Sequence, residues 1–110
     1  MAYRVVWPHY ALADLDDIAE YIARDSGRAA LRVVDDILAA GDRLSAFPLS
    51  GGVVDAYGLE SVRQIFAGEY RVVYEIEDDV VEIWMVIHTC RRFPPRVIED
   101  RKRFSRKRPH

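Results

Sequence analysis

The chain has a single cysteine, Cys90, in 110 residues, so neither an internal disulfide nor a cysteine-built zinc site is available to it. Its three histidines, His9, His88 and His110, show no i,i+4 or clustered spacing, which excludes the common metal-ligand arrangements and leaves no metal or cofactor to expect. Lysine is missing until Lys102, with Lys107 the only other. No apolar run approaches the roughly 20 residues that span a bilayer, and the start Met-Ala-Tyr-Arg lacks the basic and apolar regions of a signal peptide. A soluble protein of a reducing cytoplasm is the expectation.

What is present is half apolar, 50% of the residues, enough for one self-sufficient core at this length. Charge is divided along the chain. Residues 1–90 hold 7 Arg against 16 Asp and Glu, whereas residues 91–110 hold 9 Lys and Arg against Glu99 and Asp100. We expect a domain over residues 1–93 and a basic tail over 94–110, suited to phosphates or to an acidic partner segment.

Periodicity predicts the elements. Tyr3–Trp7 alternates as a short strand that Pro8 ends. Leu12, Leu15, Ile18 and Ile22 recur at helical spacing over about Tyr10–Arg24, with Asp14, Asp16, Asp17 and Glu20 on the outer side. Asp25-Ser-Gly27 breaks the helix, and a second run, about Arg28 to Ala46, ends at Phe47-Pro48. So short a connection makes the two helices an antiparallel pair. Gly41 in mid-helix costs about 1 kcal/mol against Ala and therefore marks a close approach between the helices or to the sheet. Residues 49–60, with three glycines, read as an irregular connection.

Three strands follow. Ser61–Phe66 turns at Ala67-Gly68-Glu69 into Glu69–Glu77, which turns at Asp78-Asp79 into a strand reaching His88. A two-residue turn at Asp78-Asp79 places Tyr70, Val72, Tyr74, Ile76, Val81, Ile83, Met85 and Ile87 on one face. Arg71, Val73, Glu75, Trp84, Val86 and His88 take the other, with Arg71 opposite Val86 and His88 its diagonal neighbour at roughly 7–8 Å. A three-residue loop at 67–69 would add Arg63 to that second face and keep its guanidinium out of the core. The predicted fold is α+β, in the order β-α-α-β-β-β: an antiparallel sheet with the helix pair on one face and its first strand at an edge. The uncovered face would then carry Arg63, Arg71, His88 and Arg91 among exposed Val73, Trp84 and Val86.

The combination of Phe47-Pro48-x-x-Gly51, Gly68-x-Tyr70-Arg71 and His88-x-x-Arg91, together with Trp7, Ala13-Asp14-Leu15, Tyr21-Ile22 and Val62-Arg63, resembles the RelE/ParE superfamily of bacterial toxins over about residues 3–93. The resemblance implies the toxin of a type II toxin–antitoxin module, held inactive by an antitoxin whose terminal segment wraps it. It also implies one of two activities. RelE-like members are ribosome-dependent messenger RNA endonucleases, and there Arg71, His88 and Arg91 would be catalytic: cations for the phosphorane and an acid or base near pKa 6.5. ParE-like members inhibit DNA gyrase. Arg63, Arg71, Val73, Trp84, His88, Arg91 and Arg92 would then bind antitoxin or target.

The body's lack of lysine, the valine at 97 in place of a late tyrosine, and the acidic body, ill suited to RNA, favour the ParE-like reading over the nuclease. Plainer roles compete. Arg71 could neutralise Glu75 and Glu82, His88 could be a bonded surface residue, and Trp84 could pin its neighbour Val73. Arg91 and Arg92 could anchor an antitoxin carboxylate.

Overall fold

The computed structural model describes residues 2–94. Its elements are β1 (Arg4–Val6), α1 (His9–Ala23), α2 (Gly27–Asp42), β2 (Gly52–Val53), β3 (Val62–Ala67), β4 (Tyr70–Glu77) and β5 (Val80–His88). The sheet runs β1-β5-β4-β3-β2, every pairing antiparallel except that of β1 with β5. The first strand is thus at an edge, as expected, but parallel. One short strand was not anticipated: Gly52–Val53 pairs with Arg63 and Gln64 inside the connection read as irregular. Two residues leave too little alternation for a sequence pattern to register.

The helices start and stop on local chemistry. Pro8 occupies the N-cap of α1, where its missing N–H costs nothing. Ser26 caps α2 by accepting the Ala29 N–H at 3.1 Å. The second helix passes through a 3₁₀ turn at Arg43–Ser45 before the chain leaves it at Phe47-Pro48. Gly41 does mark a close approach, but to the indole of Trp7 in the connection between β1 and α1, with which a Cβ there would collide, rather than to the other helix or a strand.

Both hairpin turns are two residues long. Glu77 pairs with Val80, so Asp78-Asp79 forms the predicted turn, Asp78 taking a left-handed φ of 56°. Ala67 pairs with Tyr70, which leaves Gly68-Glu69 rather than three residues in the other turn. Gly68 adopts φ 59° at no steric cost, and a two-residue turn of this kind matches strand twist. The consequence for Arg63 is direct. It pairs with Tyr74 and sits on the helix side of the sheet, contrary to expectation.

A second correction is larger. From Glu77–Val80 to Tyr74–Ile83 the register follows the turn, but Val73 then pairs with Met85, so Trp84 is an extra residue in β5. This bulge reverses the faces beyond it. Val86 joins Val72, Tyr74, Val81 and Ile83 against Leu15 and Ile37 under the helices. Met85 and Ile87 turn instead to the far face, where Val54, Val62, Val73 and Trp84 form a second cluster packed by Tyr57 and Phe93. That far face is not bare. Val73, at 0% exposure, and Trp84, at 4%, are core residues rather than an open apolar patch.

Gly41→Ala is expected to destabilise the protein by about 1–3 kcal/mol through overpacking against Trp7, although the same change on a free helix would gain about 1 kcal/mol. Denaturant titration with an unchanged m-value checks it.

Candidate functional site

The Phe47-Pro48-x-x-Gly51 exit is tied to the sheet through one phenol. The Tyr74 hydroxyl donates to the Pro48 carbonyl at 2.7 Å and accepts the Gly51 N–H at 3.1 Å. Arg63 completes the arrangement by donating to the Gly51 carbonyl at 2.8 Å. A Cβ on Gly51 would stand 2.5 Å from both the Tyr74 hydroxyl and the Gln64 carbonyl, so the motif needs glycine for contact distance. Burial pushes the Tyr74 pKa above its ordinary value against the smaller opposing effects of the Gly51 N–H and the Arg63 charge. Arg63 is therefore a clamp on this loop.

Arg71 does lie on the far face, opposite Phe66 and Ile87. Its guanidinium donates to the Thr89 carbonyl at 2.7 Å and lies over the Phe93 ring, 4.8 Å from the centroid. It thereby pins the chain as it leaves β5, while its buried Nε has no hydrogen-bond partner among the described residues.

His88 is on the opposite side. It pairs with Tyr70, their rings meeting edge to face at 5.3 Å, so the bulge puts the sheet between the histidine and Arg71. The His88 Nδ1 accepts the Cys90 N–H at 3.0 Å, which leaves Nε2 to carry the proton, 3.7 Å from Glu69 Oε2. Burial first, then the Glu69 charge and then Tyr21, raise the Tyr70 pKa and keep that phenol neutral. Arg91 and Arg92 are exposed just beyond. Arg91 lines, with His88, a groove of about 970 Å³ between α1 and β5. Its apolar lining includes Ile18, Tyr21, Val33, Tyr70 and Val86, and its charged rim includes Asp14, Asp17, Glu20, Glu69 and Arg24.

Asp14 was misread as a solvent-side carboxylate. Its Oδ2 accepts the Val86 N–H at 3.0 Å, capping β5 beyond Glu82, where the pairing with β1 ends. A signal for this existed: position 14 lies three residues after Ala11 and four before Ile18, both on the buried side. Among the described residues no His, Cys, Asp or Glu group could hold a metal ion, and no helix is long and apolar enough to cross a membrane.

Two helices on one face of a five-stranded sheet, with a groove beside the last strand, make a fold shared with solved proteins of toxin–antitoxin systems. The solved chromosomal ParDE toxin–antitoxin system of P. aeruginosa superposes with a TM-score of 0.67 at 20% identity, over 79% of this chain and 96% of that one. Toxin RelE2 of Caulobacter vibrioides is 34% identical over 80% of this chain and 97% of its own length. Protein Y4kP of Sinorhizobium fredii is 37% identical over 83% and 93%. The model of the ParE toxin of the type II toxin–antitoxin system parDE matches residues 5–93, and the chain belongs to that family.

Tyr74→Phe should cost about 1–3 kcal/mol, since a buried N–H and a partly buried carbonyl both lose their partner. The raised phenol pKa gives a sign as well. The unfolded chain releases its proton from about pH 10 while the folded one retains it, so stability falls as pH rises further, and the variant should lose part of that fall. Denaturation midpoints at neutral and alkaline pH check both.

Proposed function

We propose that this type II toxin arrests growth in the ParE manner, by engaging DNA gyrase in the cytoplasm, and that its antitoxin seats a segment in the α1–β5 groove. The observation that carries the first part is the division of the cationic and acid–base groups by the sheet. In-line cleavage of RNA needs a proton-transferring group and a phosphate-neutralising cation around one phosphorus. Here His88 faces the groove while the Arg71 guanidinium, on the other side, is committed to Thr89 and Phe93. The pairing therefore argues against a nuclease centre of Arg71, His88 and Arg91 and supports a binding function. The groove supports the second part, since it joins an apolar lining to charged walls of both signs, with Arg91 available to a carboxylate.

Induction without antitoxin should block replication, cause filamentation and produce gyrase-dependent DNA breaks. Immediate translation arrest with cleaved messages would instead establish the RelE-like endonuclease. Tyr21→Glu, at a groove residue 67% exposed, should weaken the antitoxin complex more than tenfold and leave the unfolding midpoint of the free toxin unchanged. Calorimetric titration measures the first and thermal unfolding the second.

A further inference from the structure

The charges around the α1–β5 groove are unequal. Asp14, Asp17, Glu20 and Glu69 border it against Arg24 and Arg91, four carboxylates to two guanidiniums. Two of the four are already engaged, Asp14 with the Val86 N–H at 3.0 Å and Glu69 with His88 at 3.7 Å. Asp17 and Glu20 are exposed, and neither forms an ion pair within 4.0 Å among the described residues. Both stand where they cost the helix stability. α1 carries Asp14, Asp16, Asp17 and Glu20 and no lysine or arginine. Asp17 and Glu20, three positions apart on the helix, bring like charges to about 5–6 Å at Cβ, a destabilising arrangement. Glu20 also lies in the last turn, where the macrodipole favours a cation. One ammonium or guanidinium brought between the two carboxylates would offset both penalties.

The groove narrows what can bring that cation. Among the described residues no acidic group is arranged to hold a metal ion, and the lining beside the two carboxylates includes apolar Ile18, Val33 and Val86. The charge therefore arrives on a side chain that has apolar neighbours. Nucleic acid is repelled by a wall of this sign. So is an acidic peptide, because residues 1–90 hold 16 acids against 7 arginines, of which Arg63 and Arg71 are already bound to carbonyls.

We propose that the groove selects a basic, apolar stretch of the antitoxin, whose apolar side chains fill the lining while a lysine or arginine stands between Asp17 and Glu20. This rests on the groove being the antitoxin's seat and adds the chemistry of what sits there. The two carboxylates then act as specificity determinants. They hold a cationic segment and reject an acidic one, so that discrimination between antitoxins comes from repulsion as well as attraction. The stability that α1 forgoes in the free toxin is recovered in the complex.

Full-length toxin and its cognate antitoxin test the seat and the charge separately. Amide hydrogen exchange locates the seat, with added protection expected over residues 17–24 and 86–91 when the complex forms. Calorimetric titration then reads the charge. D17K/E20K is expected to raise Kd at least tenfold at about 0.1 M salt and D17N/E20Q to raise it less, both differences shrinking below about threefold at 1 M, where the screening length is about 3 Å. R24E, the opposite reversal on the same wall, is expected to leave Kd within about threefold or to lower it. The free D17K/E20K toxin should melt no lower than the unmodified one, since it removes the repulsion and suits the helix end. If it melts lower, D17N/E20Q carries the comparison. Added protection with Kd unchanged or lowered in the Asp17 and Glu20 variants, or R24E weakening the complex as much as D17K/E20K, would overturn the charge assignment and leave the seat standing. No added protection in the groove would sink both.

Discussion

The pairing of β4 with β5 changes by one residue at Trp84, and most of the molecule's organisation depends on that change. Side chains alternate across a strand, so a single unpaired residue sends everything beyond it to the other face. Before the bulge Val81 and Ile83 face the helices; after it Val86 and His88 do, while Met85 and Ile87 join the far cluster. Trp84 itself is buried, its indole donating to Glu82 on the same face. The bulge thereby serves two cores with one strand, and it separates the two groups whose chemistry would otherwise have met.

Around that strand several of the polar residues turn out to be fasteners. Tyr74 and Arg63 hold the loop after α2, Arg71 holds the exit from β5, and Asp14 caps an edge N–H that β1 is too short to cover. Each satisfies a backbone group that burial or a free edge would leave without a partner. Apolar and charged side chains of both signs line the α1–β5 groove, and Arg91 and Arg92 are exposed beside it.

Much of the architecture was legible from the residues. The two helices, their break at Ser26, the Asp78-Asp79 turn, the edge position of the first strand and the packing role of Gly41 follow from spacing, capping and turn chemistry, all local properties. The corrections within the sheet share one cause. Arg63 was assigned by assuming a three-residue loop, and Val86 and His88 by assuming an unbroken ladder. Register is a property of two strands together, and neither sequence carries it alone.

The amino-acid order by itself thus determined the family, the class of fold and the residues worth watching, because periodicity and short motifs are written within a few turns of chain. Which of those residues share a surface was decided only by the folded sheet. A bulge is favoured by the packing of Trp84, Met85 and Val86 into two separate cores at once, and that energy exists only when strands, helices and the 54–62 segment are assembled.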